Sequence, residues 1–298
     1  MRISGEAPAK TNRELRVGGV RSDGYHEIRS RVVAIDLADS IEVETGDGDL
    51  TLSCEGFPVP SDESNLAVRA GRALANHLGR PADAAIRLKK KIPVGAGLGG
   101  GSSDAARALA LLARLWGAGL TREDLRVLAA SLGSDVPFFL VGGEAEVTGR
   151  GDSVRPLPDS EPTDLLVLVP PFPLSTAEVY ATHRRLESGS SFDDRRIPAA
   201  LEVDSSRNFF GPNDLALAVL ETKAEMSILL DSARSLAPES AITGSGSAIV
   251  LAGAAAGAEE RLAARHPGAQ VFRSRTLTRD EYRLRTESSG GSQWRSPR

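Results

Sequence analysis

Cysteine is nearly absent from this chain: Cys54 is the only one in 298 residues. A single thiol excludes an internal disulfide and a cysteine-based metal cluster, and it fits a reducing compartment. Positive charge is not in excess either. The formal net charge is −4 and the pI about 5.7, so the chain has no general attraction to polyanions, and any phosphate binding must come from a local site. Nucleic acid is therefore not expected as a partner. No run of about 18 apolar residues occurs, and the amino terminus has no continuous apolar stretch, so neither a membrane span nor a signal peptide is expected. The expectation is a cytoplasmic protein with no membrane partner.

What is present suffices for two packed cores, since 41% of the residues are hydrophobic and single cores stop growing at about 250–300 residues. Val32 to Leu37 and Ser40 to Glu44 look like two short strands separated by Asp39, and Asn65 to Leu78 carries a helical apolar stripe. The alternating stretch Ile86 to Lys89 runs through a glycine loop into a helix from Ser103 to Trp116. A further helix, Arg122 to Leu132, should stop at Gly133, with Val136 to Leu140 continuing as extended chain and Asp135 at the junction. Turn formers up to Pro158 place a domain boundary near residue 158. Beyond it, a strand at Leu165 to Val169, a capping box at Ser175 to Glu178 and later helices and strands suggest an α/β sandwich over 159–286. Residues 287–298 are too polar to pack and read as a disordered tail. The fold class expected is α+β, in two domains.

The strongest local signal is Pro93-Val94-Gly95-Ala96-Gly97-Leu98-Gly99-Gly100-Gly101-Ser102-Ser103. Five glycines in seven positions free the backbone of Cβ atoms, so its N–H groups can converge on a polyanion at the positive end of the following helix. The loop lacks the Gly-Lys-Ser/Thr of a Walker A motif and is not a dinucleotide fingerprint. A plain glycine hinge with a serine cap is the alternative. Asp135 by residue type alone reads as a turn residue, and Lys10 and the run Lys89-Lys90-Lys91 as solvated lysines.

This loop resembles the Pro-x-x-x-Gly-Leu-Gly-Ser-Ser-Ala signature of the GHMP kinases. The longer Gly-Leu-Gly-Gly-Gly-Ser-Ser form, the opening Pro8-Ala9-Lys10-Thr11-Asn12, Arg21 to Glu27, Leu132 to Phe138, and Asn213-Asp214-Leu215 with Gly244-Ser245-Gly246 occur in order along roughly residues 1–280. Together they are similar to the branch of that family whose acceptor is a cytidyl diphosphate alcohol, 4-diphosphocytidyl-2-C-methyl-D-erythritol. The resemblance implies a ribosomal-protein-like amino-terminal domain, a ferredoxin-like carboxy-terminal sandwich, and ATP with Mg²⁺ as phosphoryl donor. It implies that Pro93, Gly95, Gly97, Leu98, Gly99, Gly100, Gly101, Ser102 and Ser103 bind ATP. Lys10 and Asp135 become the catalytic pair. Asn12, Tyr25, His26 and Tyr180 become substrate-binding residues, with Tyr25 and Tyr180 sandwiching the cytosine and His26 at its edge.

The chain departs from the family pattern at several points. Thr11, Arg13 and Glu14 stand where apolar residues are usual, Asp104 where Asn is common, and Ala216-Leu217 where Glu-Pro is frequent. Alternatives are another GHMP acceptor (mevalonate, homoserine or a sugar), which would need no pyrimidine pocket, or a non-catalytic RNA-binding protein.

Overall fold

A computed structural model describes residues 1–188 and 209–287. The first half comprises β1 (Arg2–Val20), β2 (His26–Thr45), β3 (Thr51–Gly56), α1 (Leu66–Leu78), β4 (Ala84–Lys90) and α2 (Gly100–Leu115). It continues with α3 (Arg122–Leu132), α4 (Phe138–Val141), β5 (Glu144–Gly149) and β6 (Ser153–Pro156). The second half comprises β7 (Asp164–Val169), α5 (Thr176–Ser188), α6 (Ala216–Thr222), α7 (Glu225–Arg234), β8 (Ser240–Ile242), β9 (Ile249–Ala252), α8 (Ala258–Arg265), β10 (Gln270–Arg275) and α9 (Arg279–Thr286). The expected α+β class holds.

β2 is the backbone of the first sheet. It pairs with β1 along nearly its whole length, while its other edge is shared: Ser40–Thr45 pair with β4 and Ile28–Val33 with β5. Asp39 therefore does not split two strands, as the sequence suggested. It lies within one strand and is fully buried, because its carboxylate accepts hydrogen bonds from the Lys91 (2.5 Å) and Ile92 (2.8 Å) amides and is ion-paired with Lys90. A polar group can be buried when its acceptor capacity is filled in this way.

Between its two partners β2 leaves a gap, opposite an irregularity in β1 at Pro8/Ala9. The second sheet joins there: Ile35 bridges to Thr276, and the Leu37 amide donates to Ser274 Oγ at 3.3 Å. That sheet is antiparallel throughout, in the order β10-β7-β9-β8. Both of its faces are buried, as the unbroken apolar run of β7 suggests. Leu166 and Leu168 pack under the helices of the second half, together with Leu15 and Val17 of β1. Leu165, Val167 and Val169 face the other way, onto Ala9, Ile35, Ile92, Ala96 and Leu98. The glycine loop is thus seated between the two sheets.

Local signals fix several ends. Asn65 caps α1 by accepting from the Ala67 amide, Gly79 closes that helix in the left-handed region, and Thr121 with Asp124 forms a capping box on α3. Two expectations are corrected. The α2 helix begins at Gly100, before Ser103, and Val136 to Leu140 is not extended: it turns and enters the single-turn helix α4, which buries Phe138 and Phe139 against the first core. The helix α9 returns to that same core, where the Tyr282 hydroxyl donates to the Phe139 carbonyl at 2.6 Å. Of the expected tail, residues 288–298 lie outside the described residues, as does most of the Ser188 to Ser191 segment.

Candidate active site

Residues two apart on a strand share a face, and β1 uses this to present Lys10 and Asn12 together. The Lys10 ammonium is buried and donates to Asn12 Oδ1 at 2.7 Å. The Asn12 amide nitrogen in turn donates to Ser30 Oγ at 2.7 Å, whose hydroxyl passes on to the Glu14 carbonyl at 2.6 Å. Asn12 therefore fixes the lysine rather than merely neighbouring it. Across the cleft, in the turn between α3 and α4, the Asp135 carboxylate lies 3.7 Å from the Lys10 ammonium and is 46% exposed.

The glycine loop crosses beside this pair. The Lys10 amide donates to the Leu98 carbonyl at 3.0 Å, so β1 holds the loop by its edge. Gly97, at φ 77°, allows a second glycine loop to close on the first: a Cβ there would fall 2.6 Å from the Gly246 carbonyl oxygen and 2.8 Å from that of Thr243. That second loop is tied back by the Asn213 side-chain amide, which donates to the Ile242 (2.9 Å) and Gly244 (2.8 Å) carbonyls, and by the Thr243 hydroxyl, which accepts from the backbone N–H of Asn12 at 3.0 Å. Gly99, in the left-handed region, starts α2, so the amides of its first turn have no acceptor within the helix and face the cleft.

The cleft has a volume of about 440 Å³. Its wall includes Lys10, Asn12, Asp135, Pro93 to Ser102, Tyr180, and the hydroxyl pair Thr176 and Ser245, whose oxygens are 2.9 Å apart. Ser103, expected at the phosphates, is not on the wall; its buried hydroxyl donates to the Pro8 carbonyl at 2.7 Å and pins α2 to β1. Val59, Pro60, Ser64, Asn65 and Leu66 add a largely apolar wall; of these the sequence marked only Asn65 and Leu66, as the start of a helix.

The expected base sandwich is arranged differently. Tyr25 is 52% exposed, off the cleft wall, with the Arg150 guanidinium 5.6 Å above its ring. The ring packed against Tyr180 is instead His26, with centroids 5.3 Å apart. Tyr25 ends the turn and faces solvent, whereas His26 begins β2 and points inward. His26 Nδ1 lies 2.9 Å from the Gly18 carbonyl, so that nitrogen carries the proton, and the buried Nε2 has no hydrogen-bond partner among the described residues. Burial, with a smaller contribution from the Asp135 charge, pushes the Tyr180 phenol up to about 12, so it stays neutral at all working pH values.

Among the described residues no group of three or more His, Cys, Asp or Glu side chains could hold a metal ion. Lys90, read as a solvated lysine, is buried between Asp39 and Asp104, 2.9 Å from the latter. Arg13, another departure, reaches Glu144 at 3.0 Å, so the cost of placing a charge at an apolar position is offset by a buried partner.

Residues 65–143 match the GHMP kinases N terminal domain. The chain is 39% identical to the 4-diphosphocytidyl-2-C-methyl-D-erythritol kinase of Salinispora tropica, over 89% of this chain and 88% of that protein. It is 38% identical to the kinase of the same name from Salinispora arenicola, over 91% and 90%. A crystal structure of 4-(cytidine 5'-diphospho)-2C-methyl-D-erythritol kinase superposes with a TM-score of 0.76 at 32% identity, covering 92% of this chain and 98% of that one. A mevalonate kinase structure shares the fold at 16% identity and a TM-score of 0.67. The chain accordingly belongs to the 4-diphosphocytidyl-2-C-methyl-D-erythritol kinase family of the GHMP kinases.

Proposed function

We propose that this enzyme transfers the γ-phosphoryl group of ATP to the 2-hydroxyl of 4-diphosphocytidyl-2-C-methyl-D-erythritol, a step in making isoprenoid precursors by the non-mevalonate route. The observation that carries the reading is the Lys10–Asp135 pair, 3.7 Å apart in the same cleft as the glycine loop. Phosphoryl transfer rests on positioning and charge stabilisation, with no covalent intermediate required.

In this reading the triphosphate lies against the first-turn amides of α2, with the nucleoside on the wall formed by Val59, Pro60, Asn65 and Leu66. Asp135 accepts or orients the proton of the acceptor hydroxyl, whose oxygen attacks the γ-phosphorus as the bond to ADP breaks. Lys10, oriented by Asn12, stabilises the charge on the transferring group. Mg²⁺, when bound, would neutralise phosphate charge, and Asp135, the exposed carboxylate on the cleft wall, would be the side chain suited to help hold it.

The acceptor's cytosine is read by Tyr180 and His26. The unpartnered Nε2 of His26 is an acceptor suited to the exocyclic amine of cytosine, and the Tyr180 ring supplies a stacking surface. Tyr25, on the solvent side, contributes at the rim. We assign the boundary between the domains to the segment near residue 158, and the protein to the cytoplasm. No helix among the described residues is long and apolar enough to cross a membrane.

The test is a panel of acceptors with ATP, followed by ADP release. Turnover with the cytidyl diphosphate alcohol and none with mevalonate or homoserine is expected. Turnover with mevalonate alone would overturn the choice of acceptor.

A further inference from the structure

Beneath the glycine loop lies a buried cluster that the reaction as described does not use. The Lys90 ammonium is ion-paired with Asp39 of β2 and, at 2.9 Å, with Asp104 in the second turn of α2; all three side chains are almost completely shielded from water. The ammonium also sits directly under the loop, since a Cβ built on Gly100 would lie 2.8 Å from it. Asp39 meanwhile holds the Lys91 and Ile92 amides, the last backbone donors before the loop. Lys90 and Asp104 are both part of the cleft wall.

We propose that Lys90 is a positioning residue for the nucleotide's phosphates: clamped by Asp39 and Asp104, it locks the end of β4 to the start of α2, and the charge balance of this cluster sets how well the loop above it receives an anion. The proposal deepens the reading of the loop as the triphosphate seat and rests on that reading.

Two carboxylates against one ammonium leave a net charge of −1 below a site for a polyanion, which opposes binding unless a proton cancels it. The cluster is built to hold one. Asp104 Oδ1 has no hydrogen-bond partner among the described residues, and Asp39 and Asp104 share the single Lys90 ammonium, so a proton on Asp104 relieves the repulsion between two buried carboxylates. Burial above all, with Asp39 adding to it and Lys90 opposing it, pushes Asp104 up to about 7. The Lys90 ammonium is held charged, because the attraction of the two carboxylates outweighs the burial that disfavours it. Cys54 of β3, which also senses the cluster, is pushed up by burial and stays a neutral thiol. Below the Asp104 pKa the cluster is neutral; as pH rises through it, a negative charge appears under the loop and nucleotide affinity should fall.

The experiment measures the Kd of a non-hydrolysable ATP analogue by calorimetry from about pH 6 to about pH 9, with CDP as a probe of the acceptor side, so that linkage to the proton is read directly. Affinity of the natural enzyme for the analogue should fall by about tenfold across that range, and Asp104→Asn, which keeps the shape but removes the charge, should flatten the profile. The analogue's own ionisation is common to both proteins and cancels in the comparison. Lys90→Met should weaken the analogue by more than about tenfold while leaving the CDP Kd in place. Should Lys90→Met fail to fold, with two carboxylates left buried, the Asp104→Asn profile decides alone. Parallel profiles for the natural enzyme and Asp104→Asn, or a folded Lys90→Met with unaltered analogue affinity, would overturn the proposal. An enzyme that binds CDP but not the analogue would instead overturn the triphosphate seat, and this proposal with it.

Discussion

Asn12 holds Lys10: its side-chain oxygen accepts a hydrogen bond from the lysine ammonium at 2.7 Å while its side-chain nitrogen donates to Ser30 Oγ at 2.7 Å. The ammonium is thereby aimed along the cleft toward Asp135. Asn12→Leu keeps the volume and removes that acceptor, so kcat should drop by about tenfold to a hundredfold, a displacement effect on a charge that must be placed well. The Kd of ATP should change little. Equal losses in kcat and ATP affinity would show instead that Asn12 binds the nucleotide.

Removing the pair itself should cost more. Asp135→Asn retains size but not charge, and single-turnover rates should fall by about 10² to 10⁴-fold with folding and ATP binding preserved. Lys10→Met should raise the barrier by about 3 to 4 kcal/mol, the loss of one well-placed donor to developing charge. A variant at Asp135 with near-normal kcat would remove the carboxylate from the mechanism.

The loop's role can be probed at Gly101, where an added Cβ would meet only Leu66, 4.0 Å away. Gly101→Ala should stabilise α2 by about 0.5–1 kcal/mol, raising the melting temperature, yet weaken ATP because a methyl now stands where phosphate approaches. Gly100 is a poorer probe, since its Cβ would strike Lys90 and Ile92 whatever the ligand. A stabilised Gly101→Ala with unchanged ATP affinity would reduce the loop to a hinge.

For the acceptor side, burial predicts an order of effects. Tyr180 packs against His26 and lines the cleft, whereas Tyr25 is half exposed. Tyr180→Ala should therefore raise the acceptor KM more than Tyr25→Ala, and both should leave the ATP KM nearly alone. Steady-state kinetics that reverse this order would move the base-stacking role to Tyr25.

Arg13 tests a departure from the family pattern. Glu144 is nearly inaccessible and is paired with both Arg13 and Arg31. Arg13→Leu restores an apolar residue but leaves Glu144 with one guanidinium fewer, so unfolding in denaturant should show a loss of about 2 kcal/mol, below the 3–5 expected when the last partner goes. A stabilised variant would mean that Arg31 and the Ser160 hydroxyl, which donates to Glu144 Oε2 at 2.7 Å, satisfy the carboxylate without Arg13.

What the sequence determined by itself was whatever depends on a few neighbouring residues. Glycines at 95, 97 and 99 permit left-handed backbone wherever the rest of the chain goes, Asn65 and Thr121 cap the helices they precede, and the apolar stripes fix which faces are buried. What only the tertiary structure decided was the fate of the charges. Lys90 read as one of three solvated lysines because its partners are 51 residues back and 14 residues on; Asp39 read as a break in a strand, and Tyr25 rather than His26 as the partner of Tyr180. A charged or polar side chain is stable either in water or beside a compensating group, and local sequence is the same in both cases. Which of the two applies is settled by the long-range pairing of β2 with β1, β4 and β5, which carries the partner into reach and excludes the water.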